Sequence, residues 1–195
     1  SLTYVLEMAH VIKKYKMHFL LDFHYSDYWA DPGQQNKPDA WKNLSFDELK
    51  ETVHKYTYDV LYRLKIMDCA PDMVQIGNEI RSGMLFPDGA VPQYRQLAAL
   101  VNEGIRAVRE LLPETKVMIH LDQGGRYNCI MPWFDSMFNA GMLPIDAIGL
   151  SFYSFWHGTF MDLKDTMSRL IKLYNLPVYI CLLYTSPSPR DVEES

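Results

Sequence analysis

The sequence has few cysteines and no long apolar segment, and each absence excludes a class of protein. Cys69, Cys129 and Cys181 are too few and too widely spaced for a disulfide framework or a zinc site. No apolar run reaches the about 18 residues that a membrane-spanning helix requires. The phosphate-binding loops GxGxxG, GxxxxGKS and GxxxxGKT are also missing.

Charge is modest and mixed along the chain. The 24 acidic and 19 basic residues give a net charge of −5 and form no basic patch, so we expect neither a nucleic-acid nor a membrane partner. The 195 residues, 48% of them apolar, suffice to bury a core. Aromatic residues are abundant and several fall in polar loops, which is typical of carbohydrate-stacking surfaces.

Hydrophobic periodicity alternates between helical and strand-like segments along the whole chain. It predicts five strands: four at Met17–Phe23, Met73–Ile76, Lys116–Leu121 and Ala147–Phe152, and a fifth that begins at Pro177–Ile180. It predicts five helices, at Leu2–Tyr15, Ser45–Met67, Pro92–Leu112, Met131–Asn139 and Phe160–Tyr174. This order indicates a parallel α/β sheet built from right-handed crossovers.

Polar and aromatic residues collect where the predicted strands end, whereas the helix-to-strand connections are shorter and less polar. This asymmetry favours a (β/α)8 barrel with a site at its carboxyl face. A complete barrel needs about 250 residues, so five visible strands leave roughly three absent. We therefore expect residues 1–180 to form an incomplete catalytic barrel.

The pair Asn78-Glu79 follows the buried strand Met73–Ile76, and Gly77 separates the pair from the strand. A carboxylate at the carboxyl end of a parallel strand lies where such enzymes place their chemistry. The alternatives are that Glu79 caps the next segment or is a solvated loop acid.

Four segments identify the chain as similar to the endo-β-1,4-galactanases of glycoside hydrolase family 53. These are LDFHYSDYWADPGQQ at 21–35, VQIGNEI at 74–80, GLSFY at 149–153 and WHGT at 156–159. The resemblance implies a (β/α)8 fold and retaining hydrolysis of the galactan in pectin, type I arabinogalactan. It also implies that Glu79 is the general acid/base and that Asn78 contacts the sugar 2-hydroxyl.

The resemblance further implies substrate-binding side chains around this pair. They are Asp22, His24, Tyr25, Asp27, Trp29, His120, Asp122, Tyr153 and Trp156. His24, His120 and Tyr153 are expected to orient the acids, and Trp29 and Trp156 to stack on sugar rings. No cofactor is expected, and no metal site is expected in these residues, although some family members carry calcium in a later loop.

The last segment departs from the family pattern, in which a glutamate nucleophile is expected just after Ile180. The chain has CLLYTSPSPRD at 181–191 instead, and one choice of codons for it matches a transposase adapter from sequencing-library preparation. We therefore expect residues 181–195 to be a non-native tail. Without the nucleophile, the covalent route is closed and this chain is expected to be inactive and poorly stable.

Two other functions fit the same residues. One is a retaining endo-β-mannanase or β-glucanase with the same barrel and Asn-Glu pair. The other is a non-catalytic carbohydrate-binding barrel. The polar strand ends argue against a third possibility, a purely structural α/β domain. No signal peptide is visible, but a polysaccharide substrate implies a secreted protein, extracellular or periplasmic, which we expect to be monomeric.

Overall fold

A five-stranded parallel sheet organises the protein, and the computed structural model describes residues 2–184. The strands in chain order are β1 Leu20–Phe23, β2 Met73–Ile76, β3 Gly83–Met84, β4 Gly89–Ala90, β5 Lys116–Leu121, β6 Ala147–Tyr153 and β7 Val178–Tyr184. The sheet order is β1-β2-β5-β6-β7, with every neighbouring pair parallel. The two-residue strands β3 and β4 form a separate antiparallel hairpin after β2.

One helix precedes the sheet, and the others lie in the connections between its successive strands. The helices are α1 Leu2–Lys14, α2 Phe46–Ile66, α3 Tyr94–Leu111, α4 Tyr127–Asn139, α5 Ser154–His157 and α6 Phe160–Tyr174. A capping box begins α2, because Ser45 accepts from the Glu48 amide and Glu48 accepts from the Ser45 amide. A second capping box joins Thr159 to Asp162 at the start of α6.

Strand alternation gives the sheet one apolar face and one largely polar face. In β1, Leu21 and Phe23 are buried in the core that the helices share, whereas Leu20 and Asp22 lie on the opposite face. This opposite face is the inner face of the curled half-barrel. The predicted incomplete (β/α)8 architecture with five strands is confirmed.

Two predicted boundaries were wrong. Strand β1 begins at Leu20 and not at Met17. The Phe19 amide donates to the Asp72 carboxylate, and the Phe19 carbonyl accepts from the amides of Asp72 and Met73. Helix α4 begins at Tyr127 and not at Met131, because a turn starting at Arg126 adds one helical turn ahead of the interior Pro132.

Strand β7, whose beginning was predicted at Pro177–Ile180, runs from Val178 to Tyr184. It does so by pairing with β6 across an irregularity between Leu150 and Ser151, after which Ser151 pairs with Leu182. Residues 185–195 lie outside the described residues, so the non-native origin of the 181–195 segment stays a prediction. Within the described chain, no helix has the length and apolarity needed to cross a bilayer.

Candidate active site

Glu79 lies at the carboxyl end of β2 and is turned inward by an unusual backbone. Gly77 has φ +78° and Glu79 has φ +50°, a left-handed conformation that is uncommon for a residue with a side chain. The residue is only 6% exposed, and its Oε1 atom has no hydrogen-bond partner among the described residues. A buried carboxyl oxygen without a partner is a feature of sites that bind or transform a ligand.

The electrostatic surroundings of Glu79 favour its protonated form. Burial raises the pKa of this carboxyl above its ordinary range, and the charges of Asp122 and Asp31 raise it further. The nearby Ser151 hydroxyl and His24 act in the opposite direction. A carboxyl with a raised pKa can hold a proton near neutral pH and donate it to a leaving group.

Asn78 is held rigidly beside Glu79 by contacts from several segments of the chain. Its Nδ2 donates to the Ala30 carbonyl at 2.8 Å, and its own carbonyl accepts from Gln35 Nε2 at 2.8 Å. Its Oδ1 accepts from Gln75 Nε2 at 3.2 Å and lies 2.8 Å from His120 Nδ1. These contacts fix the Asn78 amide in one orientation, with its oxygen directed at His120.

His120 and Ser151 extend this network across the next two strands. His120 Nε2 lies 2.9 Å from Ser151 Oγ, and both residues are almost fully buried. Burial lowers the pKa of His120 to about 4, so its imidazole is neutral at physiological pH. The predicted site histidine is therefore a neutral hydrogen-bonding residue.

A second cluster occupies the inner face at β1. Asp22 Oδ1 accepts from Gln75 Nε2 at 2.6 Å, and Asp22 Oδ2 lies 2.9 Å from His24 Nε2. The Ala30 amide donates to His24 Nδ1, so Nε2 carries the imidazole proton and donates to Asp22. Burial raises the pKa of Asp22, and the bonds from His24 and Gln75 oppose this rise.

Asp122 is engaged by a cation that the sequence did not suggest. Arg81 donates from Nε and Nη2 to the two Asp122 oxygens, at 2.8 and 3.2 Å. The Asp122 side chain is 7% exposed and that of Arg81 is 37% exposed. This bidentate pair places a partly compensated negative charge near Glu79.

Two exposed tryptophans follow β1 and β6, Trp29 on a loop and Trp156 in the short helix α5. Trp29 is 68% exposed and packs edge-on against His24 with ring centroids 4.9 Å apart. Trp156 is 67% exposed and packs against Tyr153 at 5.9 Å. Exposed indole faces at the carboxyl end of the sheet can stack on sugar rings.

Tyr25 and Asp27 are not brought to this network. Tyr25 is 4% exposed in the core, and its hydroxyl donates to Thr57 Oγ1 of α2 at 2.8 Å. Asp27 is exposed and accepts from the Asp39 amide at 2.7 Å, a contact that shapes the loop. Neither placement supports the predicted contact with substrate.

Leu182 occupies the neighbouring position on β7. It pairs with Ser151 in the parallel register, so the two side chains share the inner face of the sheet. Leu182 is 37% exposed and cannot ionise. An apolar residue therefore lies just after Ile180, where the family resemblance predicts a nucleophilic glutamate.

Comparison with known proteins now identifies the family. The model of glycosyl hydrolase family 53 matches residues 1–189. The chain belongs to glycosyl hydrolase family 53.

Curated family 53 relatives align with most of the chain. An uncharacterized protein from the bgaB 5' region of Niallia circulans is 46% identical over 181 residues, 89% of this chain and 49% of its own. The arabinogalactan endo-β-1,4-galactanase of Thermothelomyces thermophilus is 32% identical, over 97% of this chain and 60% of its own. The chain thus spans about half the length of these family 53 relatives.

Solved structures agree with the family 53 assignment. The Ignisphaera aggregans GH53 catalytic domain superposes with a TM-score of 0.89 at 39% identity, covering 92% of this chain and 49% of that domain. One of two fungal β-1,4-galactanases superposes with a TM-score of 0.90 at 32% identity. The match covers 97% of this chain and 60% of the galactanase chain. Xylanase 10B from Thermotoga maritima, at 14% identity and a TM-score of 0.69, shares the fold alone.

Metal binding was not expected of this part of the family 53 barrel. Across residues 2–184, no group of three or more His, Cys, Asp or Glu side chains is arranged to hold a metal ion. The calcium that some family members carry in a later loop is not tested by these residues.

Several polar residues of this network were missed by sequence reasoning. They are Gln35, Gln75, Arg81 and Ser151. A signal was available for Gln75 and Ser151, since each is a polar residue inside an otherwise apolar strand and faces the same side as its polar neighbours. No comparable signal marked Arg81, whose partner lies 41 residues away.

Proposed function

We propose that this chain carries the acid/base half of a retaining endo-β-1,4-galactanase site, with Glu79 as general acid/base. The observation that carries the proposal is the buried Glu79 carboxyl, which has an unpartnered oxygen and a raised pKa beside a rigidly held Asn78. The family assignment and the galactanase names of its relatives supply the substrate class.

Glu79 would act twice in a double displacement. Protonated, it donates to the glycosidic oxygen as the bond to the leaving sugar breaks. Ionised, it then accepts a proton from the water that hydrolyses the covalent intermediate. The raised pKa supports the first step, because an ordinary glutamate would be ionised near pH 7.

Asn78 would bind the sugar hydroxyl next to the reacting carbon. Its Nδ2 group carries two hydrogens and makes one hydrogen bond within the described chain, to Ala30. The second N–H can donate to the sugar 2-hydroxyl, and this bond strengthens as positive charge develops at the anomeric carbon. The fixed amide orientation supports this role because no reorganisation is required during reaction.

A second carboxyl about 5 Å from Glu79 is required for retention. The resemblance implies that it lies just after Ile180, and the chain has leucine at position 182, which pairs with Ser151. We therefore expect the chain itself to release no galacto-oligosaccharides. The substrate is a β-1,4-galactan too large to cross a membrane, so the enzyme is expected to act outside the cell or in the periplasm, as a monomer without cofactor.

A chimera tests the proposal directly. Residues 2–180 would replace the aligned segment of the Ignisphaera aggregans GH53 domain, so that the host supplies its own residue at 182 and the rest of the barrel. We expect release of galacto-oligosaccharides from galactan. Glu79→Gln should lower kcat by at least about 100-fold, whereas Glu51→Gln, at an exposed position on α2, should not change it.

Other outcomes would support other functions. A folded chimera that cleaves β-mannan or β-glucan in preference to galactan would move the substrate to the mannanase or glucanase alternative. A folded chimera that binds galactan but gives no products, with or without Glu79, would indicate a binding barrel. Circular dichroism and a thermal melt establish folding before either conclusion is drawn.

A further inference from the structure

The side-chain oxygen of Asn78 receives hydrogen bonds from two buried groups. His120 Nδ1, on β5, lies 2.8 Å from Asn78 Oδ1, and Gln75 Nε2, on β2, lies 3.2 Å from the same atom. Each of the three residues is at most 3% exposed. Protein groups rather than bulk water therefore surround this oxygen.

Two backbone carbonyls, which can only accept, fix the direction of these bonds. The Ala30 carbonyl lies 2.8 Å from one end of the Asn78 amide, so that end must be the Nδ2 donor and the other end the Oδ1 acceptor. The Gly77 carbonyl lies 3.1 Å from Gln75 Nε2, so this atom is likewise an amide nitrogen. His120 Nδ1 faces the Asn78 acceptor and therefore carries an imidazole proton.

The other side of the His120 ring agrees with this assignment. Burial lowers the pKa of His120 to about 4, so at neutral pH the ring carries a single N–H and its Nε2 has a lone pair. The Ser151 hydroxyl, 2.9 Å from Nε2, can donate to that lone pair. The imidazole thus accepts from Ser151 on β6 and donates to Asn78 beyond the end of β2.

Two donors on its oxygen change what the Asn78 amide can do at its nitrogen. Hydrogen bonds to an amide oxygen polarise the group, so its N–H bonds become stronger donors. One Nδ2 hydrogen is already bonded to the Ala30 carbonyl. The second is the one that the proposed function directs at the sugar 2-hydroxyl. Both donors to Oδ1 therefore act on a bond that strengthens in the transition state.

We propose that His120 is a positioning residue: its Nδ1–H, together with Gln75 Nε2–H, fixes and polarises the Asn78 amide, so that the second Asn78 N–H donates more strongly to the sugar 2-hydroxyl. The catalytic meaning of this inference rests on the proposed function, whereas the location of the imidazole proton does not. His120 then acts through Asn78 and exchanges no proton with the substrate.

The location of the proton is tested in the 195-residue chain by long-range proton–nitrogen NMR at neutral pH. The His120 ring is assigned by its absence in His120→Asn. We expect a protonated Nδ1 and an unprotonated Nε2. A proton on Nε2 would overturn the proposal, because Nδ1 could then not donate to Asn78.

The effect on catalysis is tested in the chimera with two substitutions of nearly equal shape. His120→Asn places an amide N–H close to the position of Nδ1, whereas His120→Leu has no donor. Both remove the ring nitrogen that faces Ser151. On a nitrophenyl glycoside of a β-1,4-galacto-oligosaccharide, kcat of His120→Leu should be about 5-fold below that of His120→Asn, the equivalent of one neutral hydrogen bond. KM should be similar, because the bond strengthens only in the transition state.

A second substrate separates positioning from general support of the site. In an analogue that lacks the 2-hydroxyl of the reacting sugar, the difference in kcat between His120→Leu and His120→Asn should disappear. An equal difference on both substrates would overturn the proposal, since a loss through folding or through other contacts does not depend on that hydroxyl.

Gln75→Met keeps the proposal falsifiable if His120→Leu does not fold, because it removes the other donor to Asn78 Oδ1. Gln35→Met is its matched control, since Gln35 donates to the Asn78 backbone carbonyl and not to the side chain. Only the loss in Gln75→Met should depend on the 2-hydroxyl, and the same dependence in both variants would contradict the proposal. An inactive chimera would refute the galactanase proposal, whereas the NMR result in the 195-residue chain requires no turnover and decides the orientation of the network by itself.

Discussion

Gly104 provides a sharp test of how the site is supported, because two physical effects of known size oppose each other there. It lies within α3, where replacement of glycine by alanine normally stabilises a helix by about 1 kcal/mol. The helix packs against β2 at this point. An added Cβ would lie 2.9 Å from Ile76 Cγ2 and 2.9 Å from Tyr25 Oη.

The contacts decide the sign of the Gly104→Ala effect. Ile76 is fully buried at the end of β2, directly before Gly77, and cannot move without disturbing the strand that carries the site. Overpacking of this kind costs about 1–3 kcal/mol. Displacing Tyr25 also weakens its bond to Thr57, worth about 1 kcal/mol. The net expectation is destabilisation by about 1–3 kcal/mol, despite the better helix former.

The assay is equilibrium urea unfolding followed by circular dichroism. Gly104→Ala should lower the unfolding midpoint. In an Ile76→Ala background, which removes both crowded carbon atoms, the same substitution should be close to neutral or stabilising. If Gly104→Ala raised the midpoint in the unaltered chain, the tight contact between α3 and β2 would be refuted.

Two further predictions concern buried polar groups. Asn102 donates to the Gly141 carbonyl and accepts from the Leu143 amide. Asn102→Ala should therefore lower the free energy of unfolding, measured by urea titration, by about 2–3 kcal/mol. A loss below about 0.5 kcal/mol would contradict this expectation. Because burial lowers the pKa of His120 from 6.5 to about 4, the unfolded chain binds the proton first as pH falls. As pH falls from about 6.5 to about 4, the free energy of unfolding should therefore decrease by on the order of 3 kcal/mol more than it does in His120→Gln. Parallel curves of unfolding free energy against pH for the two proteins would refute this.

The sequence alone determined the order of elements and the position of the acid pair. Alternating hydrophobic patterns predicted all five sheet strands, because the strands and helices are each defined by local periodicity. Asn78 and Glu79 were placed at a strand end by the same pattern and lie there. The polar strand ends and the family resemblance indicated the barrel class, which the superposed structures confirm.

The tertiary structure decided which polar side chains meet and which direction each one faces. Tyr25 adjoins His24 in sequence, yet its φ of +52° and its bond to Thr57 place it in the core, a result that strand alternation does not predict. Ser151 meets His120 only through the register of β5 and β6. Contacts between residues 30 to 50 positions apart depend on strand pairing and backbone turns, which local sequence patterns do not predict.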